Sequence, residues 1–230
     1  MKIVAIGSGE IGRIKILPDG TAKQMPDQLL EIDRIIVRMA GKPNPRLLLV
    51  STASRDPELY FAAVENHFGK KLGCICSWLK MAIETPTESE MRAALDNADI
   101  VYVGGGNTVF MMERWKEVGF DKLLIEYKDK LVLSGISAGA VCWFDWYDNI
   151  DVIDDDYSKL KLLPGFDFVH GMMAPHWDEF SIVKREAYFE LQKKHEIKMY
   201  CVDRCAAVVI DGDNMEFVSA ADGYGIETIQ

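Results

Sequence analysis

Residues 131–144 read LVLSGISAGAVCWF, and this stretch decides the fold because it combines a strand, a tight turn and the start of a helix. Residues 131–133 form a short apolar run typical of a buried strand, and residues 140–144 can begin a helix. The turn between them has the pattern G-x-S-x-G and carries four small residues around Ser137. A strand that turns directly into a helix is typical of a parallel α/β sheet.

The same alternation of apolar runs and amphipathic segments occurs along the rest of the chain. Buried strands are predicted at 3–6, 47–50, 100–103 and 131–133, and helices at 28–39, 57–68, 88–97 and 108–117. Three further strands are predicted near the C-terminus, at 199–202, 206–210 and 216–219, with a hairpin turn at 211–214. The pattern predicts a doubly wound, mostly parallel sheet with an antiparallel C-terminal edge.

Composition limits the class of protein. With 230 residues, 49% hydrophobic and 27% charged, the chain fits one domain over residues 1–230. The net charge of −10 disfavours nucleic acid as a partner. No apolar run reaches the ~18 residues of a membrane span, and the first residues resemble a strand rather than a signal peptide. Five cysteines, an odd number, are typical of reduced thiols, so a cytoplasmic location is expected.

Ser137 is the candidate nucleophile, because a strained turn between strand and helix raises its hydroxyl above the sheet. Ser134 is the second candidate hydroxyl, but it lies before the turn. Cys142 lies five residues into the helix, which disfavours a cysteine amidotransferase-like enzyme. The structural alternative is an ordinary glycine-containing turn.

A second glycine-rich loop, GGGNT at 104–108, follows a predicted buried strand. Such loops point backbone N–H groups into a site, so Gly105, Gly106 and Asn107 are candidate substrate-binding residues. The N–H of Ala138, directly after the candidate nucleophile, would complete an oxyanion hole. Phosphate binding is less favoured because no G-x-x-x-x-G-K-[ST] pattern is present, and a structural turn remains open.

The loop GSGEIG at 7–12 matches the dinucleotide pattern G-x-G-x-x-G. That site requires a helix after the loop, whereas residues 13–20 alternate and turn like extended chain. A structural turn is therefore favoured, and no cofactor is predicted. The cysteine pairs 74/76 and 201/205 lack zinc spacing, so no metal is predicted either.

A serine nucleophile needs a general base, and only four histidines are available. His67 falls inside a predicted helix, and His195 falls in a charged stretch. His176 follows Pro175 at the start of a loop and is favoured as the base, with His170 as the alternative.

Together, the segments 104–108, 135–140 and 175–177 resemble the dipeptidase E family of serine peptidases and its cyanophycinase relatives. The resemblance spans nearly the whole chain. It implies an α/β three-layer sandwich similar to flavodoxin and class I glutamine amidotransferases. It also implies a serine exopeptidase acting on short peptides, often with an N-terminal aspartyl residue. Ser137 would then be the nucleophile and His176 the base, with Gly106 and Ala138 supplying the oxyanion amides.

The resemblance leaves the third triad member open. In the dipeptidase branch an aspartate follows the nucleophile by about fifteen residues, which falls near Asp151. In the cyanophycinase-like branch a glutamate follows the histidine at a strand end, where this chain has Asp203. Asp203 is favoured, because a strand end is rigid, while Asp178 and Glu179 remain possible.

Specificity for an aspartyl side chain requires a fixed cation. Arg185, nine residues after His176, resembles a family position that contacts substrate, and Arg204 is the alternative. The expected partner is a small peptide, and the protein is expected to be a monomer or homodimer. Two other functions remain open, an esterase or amidase with a non-peptide substrate and a non-catalytic binding protein.

Overall fold

The computed structural model describes residues 1–230 and confirms the predicted α/β class. The strands are β1 (Lys2–Ile6), β2 (Ile14–Ile16), β3 (Ala22–Gln24), β4 (Arg46–Val50), β5 (Ile75–Trp78), β6 (Ile100–Val103), β7 (Val132–Ile136), β8 (Phe144–Asp148), β9 (Leu162–Pro164), β10 (Val169–Pro175), β11 (Met199–Val202), β12 (Ala206–Asp211), β13 (Asn214–Ser219) and β14 (Ile226–Ile229). The α-helices are α1 (Leu30–Met39), α2 (Glu58–Val64), α3 (Glu88–Asp96), α4 (Thr108–Val118), α5 (Phe120–Tyr127), α6 (Ala138–Val141) and α7 (Ile182–His195).

The main sheet has seven strands in the order β13-β12-β1-β7-β6-β4-β5. The five strands from β1 to β5 in this order run parallel, and β12 and β13 add the expected antiparallel edge. Ile6 pairs with Ile136, and Val103 pairs with Gly135. Because β1, β6 and β7 are in register, the loops after their carboxyl ends meet at one edge of the sheet.

A second sheet of five strands, in the order β14-β11-β10-β8-β9, was not predicted. Residues 199–202 form β11, which runs parallel to β10 in this second sheet and does not join the C-terminal edge of the first. All four residues of β11 are buried. A fully buried run has the same apolar pattern in either sheet, so the sequence does not reveal which sheet it joins.

Both faces of the main sheet are covered. Alternate residues of β1 point to opposite faces, with Ile3 in one buried cluster of 37 residues and Val4 in another of 18. The larger cluster also includes residues of the second sheet, such as Met173 and Tyr200, so the two sheets share a core. Helices α1 and α2 cover the opposite face. None of the helices combines the length and hydropathy that crossing a bilayer requires.

Candidate active site

The turn at Ser137 is a strained strand-to-helix elbow. Ser137 has φ of 54° and ψ of −117°, a left-handed conformation that a residue with a side chain rarely adopts. Its N–H donates to the carbonyl of Ile6 at 3.0 Å. A Cβ at Gly139 would lie 2.2 Å from the carbonyl oxygen of Val103, so only glycine allows the turn to approach β6 this closely.

His176 meets this elbow from the second sheet, directly after β10. Its Nε2 lies 2.6 Å from the Oγ of Ser137. His176 also has positive φ, at 148°, so both residues of the pair are held in conformations that the surrounding structure must enforce. The nucleophile and its neighbouring imidazole therefore come from different sheets.

The imidazole is prepared to accept a proton. Burial lowers the pKa of His176 from its ordinary value, and the nearby Glu179 carboxylate partly opposes that shift. The ring is therefore neutral at pH 7, with a lone pair available on one nitrogen. A neutral imidazole at hydrogen-bond distance from a serine hydroxyl is the arrangement that a general base requires.

Glu179 is the carboxylate that reaches the other ring nitrogen. Its Oε2 lies 3.5 Å from the Nδ1 of His176, and its Oε1 accepts from the Nη2 of Arg204 at 2.9 Å. Glu179 ends the short 3₁₀ turn Trp177–Glu179, three residues after the histidine. Arg204 holds this carboxylate in place, and it also binds Asp178 through its backbone N–H at 2.9 Å.

The structure does not bring Asp203 to the imidazole. Val202 pairs with Pro175, so Asp203 and His176 leave their strands side by side. The carboxylate of Asp203 instead accepts the N–H of Gly225 at 3.0 Å, and its own N–H donates to the carbonyl of Gly225 at 3.1 Å. The segment before β14 therefore holds the side chain expected to complete the triad.

The carboxylates of Asp151 and Asp178 also bind groups other than His176. Asp151 accepts the N–H of Thr108 at 2.6 Å, beside the site but without contact to the imidazole. Asp178 binds Arg204. Of the four carboxylates considered from the sequence, Glu179 alone is within ion-pairing distance of His176.

The glycine loop after β6 adjoins the elbow as predicted. A Cβ at Gly105 would lie 3.3 Å from the Cβ of Ser137. Gly106 has φ of 144°, and its N–H makes no hydrogen bond in the protein. The N–H of Ala138 is the first of α6 and has no partner within the helix. These free amides can receive an oxyanion.

Two other predicted binding residues lie in different surroundings. Asn107 caps α4, its Oδ1 accepting the N–H of Phe110 at 2.7 Å. Arg185 donates to the carbonyl of Trp177 at 2.6 Å and stacks on that indole, outside the two cavities that include Ser137. Arg204 is paired with Asp178 and Glu179. Arg204 is therefore paired with carboxylates, whereas Arg185 forms no ion pair but lies outside both cavities.

Lys184 is a cation at the site that the sequence did not single out. It lines the smaller cavity with Ser137 and His176, and its ammonium forms no ion pair. Burial lowers its pKa, and nearby carboxylates such as Asp148 oppose that shift. Its Nζ lies 3.6 Å from the centre of the Phe180 ring. A half-buried cation that forms no ion pair is available to an anionic group of a ligand.

Two cavities share Ser137, His176 and Gly106. The smaller, about 300 Å³, contains three carboxylates and one ammonium, those of Asp148, Asp151, Glu179 and Lys184. The larger, about 550 Å³, is lined by the 8–16 segment and by residues around Tyr60.

The loop 7–12 therefore forms part of a cavity wall. It continues into the β2–β3 hairpin rather than a helix, so it lacks the helix N-terminus of a dinucleotide site.

The remaining alternatives for nucleophile and base lie away from the site. Cys142 is fully buried, and burial raises the pKa of its thiol well above the ordinary value. Ser134 is buried and donates to the carbonyl of Val101 at 3.1 Å. His170 is exposed and binds Asp145 at 2.7 Å, while His67 is buried against Asp33 at 2.8 Å.

Comparisons with known proteins agree on a family. Residues 16–218 match the sequence model of Peptidase family S51. The chain is 33% identical over 201 residues to the uncharacterised peptidase YgaJ of Bacillus subtilis (strain 168), covering 86% of this chain and 83% of that protein. It is 30% identical over 173 residues to the uncharacterised peptidase Lmo0363 of Listeria monocytogenes, covering 71% of this chain and 80% of that one.

Solved structures have the same fold. A peptidase from an acI-B1 Actinobacterium superposes with a TM-score of 0.67 at 17% identity, covering 99% of this chain and 96% of that one. A Listeria monocytogenes EGD-e protein provisionally described as a peptidase E also gives 0.67, at 20% identity, covering 95% of this chain and 98% of that one.

Proposed function

Because this chain belongs to Peptidase family S51 and is a serine-type peptidase, we propose that it removes N-terminal residues from short peptides, with Ser137 as nucleophile and His176 as base. The observation that carries this proposal is the 2.6 Å contact between the Ser137 Oγ and the His176 Nε2. It lies at the carboxyl edge of the main sheet and opens into two cavities that can hold the two parts of a peptide.

The reaction begins when His176 takes the hydroxyl proton as the Ser137 Oγ attacks the scissile carbonyl. The oxyanion is stabilised by the N–H groups of Gly106 and Ala138. When the tetrahedral intermediate collapses, the C–N bond breaks, and the imidazolium gives its proton to the leaving amine. An acyl-enzyme ester remains on Ser137. His176 then deprotonates a water that hydrolyses this ester and returns the proton to the Ser137 Oγ.

Glu179 takes the position of the third triad member in this proposal. Its carboxylate faces the Nδ1–H, favours the tautomer that leaves Nε2 free, and stabilises the imidazolium that forms. Arg204 keeps the carboxylate oriented through its second oxygen. The distance of 3.5 Å is longer than a strong hydrogen bond, so Glu179 acts mainly through its charge.

The smaller cavity suits an N-terminal aspartyl residue. Its carboxylates, among them that of Asp151, can meet the free α-ammonium, and the unpaired ammonium of Lys184 can meet the side-chain carboxylate. Lys184 thus replaces Arg185 and Arg204 as the proposed specificity cation. About 300 Å³ holds one such residue, which favours exopeptidase action.

The test compares Ser137→Ala with Ser134→Ala on dipeptides of the form Asp-X and on p-nitrophenyl esters. We expect Ser137→Ala to lose at least ~10³-fold in kcat/KM. Ser134→Ala removes a buried hydroxyl that donates to the carbonyl of Val101 and lies outside both cavities, so this variant should retain activity. Retention of activity by Ser137→Ala would overturn the proposal.

Two further outcomes would favour the alternatives. Ester hydrolysis without peptide hydrolysis would identify an esterase with a non-peptide substrate. Failure of a fluorophosphonate probe to label Ser137 in the folded wild-type protein, together with no hydrolysis, would indicate a binding protein.

A further inference from the structure

The larger cavity has no assigned ligand, yet it shares Ser137, His176 and Gly106 with the smaller one. The remaining lining residues of the two cavities are different. A carbonyl placed at Ser137 therefore divides its substrate between them. If the N-terminal residue occupies the smaller cavity, the leaving residue occupies the larger.

The charges of the two cavities have opposite sign. Carboxylates outnumber the single ammonium of Lys184 in the smaller cavity. In the larger, Arg13 and Lys15 outnumber Glu10. A short peptide carries its positive charge at the N-terminus and its negative charge at the C-terminus. The cavities therefore match the two ends of a peptide that runs from the smaller to the larger.

We propose that the larger cavity binds the leaving residue as an apolar residue with a free C-terminal carboxylate, and that Arg13 binds this carboxylate. The inference rests on the proposed peptide hydrolysis and adds its substrate class, namely dipeptides and similar peptides that end in the cavity.

Arg13 has the geometry of a carboxylate receptor. Its Nε and Nη2 donate to the two oxygens of Glu10 at 2.7 and 2.9 Å, while its Nη1 has no partner. Glu10 thus fixes the plane of the guanidinium and leaves one edge available. A planar guanidinium held on one edge by a carboxylate is preorganised to bind a second carboxylate on another.

Tyr60 lines the larger cavity together with Arg13 and the nucleophile. Burial raises the pKa of Tyr60 to about 12, and the nearby Arg13 guanidinium opposes that rise, as does a hydrogen bond from the Gly105 N–H. Gly105 in turn adjoins the Cβ of Ser137. Arg13, Tyr60 and Ser137 therefore line one cavity of about 550 Å³, which has room for a single leaving residue.

The walls of the cavity explain the preference for an apolar side chain. Ile14, Ile16 and Leu59 line it, although they are 52%, 53% and 58% exposed. Ile14 and Ile16 belong to the short β2–β3 hairpin after the 7–12 loop. A leaving leucine or isoleucine would cover part of this apolar surface.

The experiment compares Asp-Leu with Asp-Leu-amide, which differ only in the C-terminal charge. We expect the wild-type protein to prefer the free acid by about 10-fold or more in kcat/KM, the size expected for a charged hydrogen bond. Arg13→Gln should remove this preference, mainly by raising KM for the free acid. Arg13→Lys should restore part of it, because the charge returns without the guanidinium fork.

Arg34→Gln is the matched control. Arg34 is also an exposed arginine bound to a glutamate three residues earlier, Glu31, but it lies on α1 and does not line the cavity. This variant should keep the wild-type preference.

Equal losses for acid and amide in Arg13→Gln would show a structural rather than a binding role, and would overturn the proposal. Equal wild-type rates for acid and amide would also overturn it while leaving peptide hydrolysis intact. A wild-type protein that cleaves no short peptide would instead overturn the proposed function and, with it, this inference.

Discussion

Replacing Glu179 with glutamine tests the proposed triad most directly. The substitution keeps the shape of the side chain and removes the charge beside the Nδ1 of His176. Arg204 retains Asp178 as a partner, so the variant should fold. The proposed mechanism then predicts a slower reaction, because the imidazolium formed during attack loses the carboxylate that stabilises it.

The size of the effect follows from distance and exposure. At 3.5 Å, two unit charges attract by about 1.2 kcal/mol in a water-like dielectric and by about 4.7 kcal/mol at an effective dielectric constant of 20. The side chains of His176 and Glu179 are 35% and 45% exposed, so solvent screening favours the lower value. We therefore expect a loss of about 1–2 kcal/mol, or about 5-fold to 30-fold in kcat/KM.

A pH profile supplies a second measurement. The base works when neutral, so kcat/KM rises with pH through the pKa of His176. Glu179 raises that pKa, against the larger lowering by burial. Removing the carboxylate should therefore shift the acidic limb of the profile to lower pH.

Steady-state kinetics on Asp-Leu from pH 4 to 8 would measure both effects, with Asp203→Asn and Asp151→Asn as comparison variants. We expect these two to keep the wild-type acidic limb, because neither carboxylate contacts the imidazole. Unchanged kinetics in Glu179→Gln, together with a shifted acidic limb in either aspartate variant, would refute the assignment of Glu179.

Three other predictions concern the glycine turn, the specificity cation and a buried carboxyl. Gly139→Ala should lower the free energy of unfolding by about 2–3 kcal/mol in urea titrations, because the new Cβ would meet the backbone of Val103. Gly225→Ala is the control: its Cβ would enter open space, so its stability should change little. Equal stabilities of the two variants would contradict the packing argument. Lys184→Gln should lower kcat/KM for Asp-Leu by about 10-fold and leave kcat/KM for Ala-Leu unchanged. Lys194→Gln, on the same helix, should change neither value. Equal losses on the two peptides in Lys184→Gln would argue against a specificity role. Burial raises the pKa of Asp33 to about 6, so the folded state binds the extra proton and this group should make stability fall by about 2–3 kcal/mol as the pH rises from about 4 to about 6. Urea titrations across that range should show a smaller fall in Asp33→Asn, and an identical slope in both proteins would disprove the shift.

The parts of the site that depend on the local backbone conformation were predictable from the sequence. The turn at Ser137 requires small neighbours, and the loop at Gly106 requires a conformation that favours glycine, so both leave a pattern in adjacent residues. Apolar runs predicted four of the five parallel strands of the main sheet. They missed β5, because its residues are exposed or half-buried. His176 could be selected because few histidines compete.

Features that depend on distant partners were not predictable. Asp203 and Glu179 are both plausible by position, and the choice between them depends on Gly225 and Arg204, which hold the two carboxylates. Lys184 is noticeable only because no carboxylate pairs with it in three dimensions. The second sheet was missed because β11 has the same apolar pattern as a strand of the first.

The path of the chain between its two sheets has a consequence for how the protein matures. Strands β1 and β4–β7 build the first sheet and β8–β11 build the second, after which β12 and β13 return to the first and β14 returns to the second. A nascent chain that ends before β12 already contains both reacting side chains, but it lacks the last two crossings between the sheets, from β11 to β12 and from β13 to β14. Hydrolytic activity should therefore appear late in biogenesis, only after β12, β13 and β14 have joined their sheets.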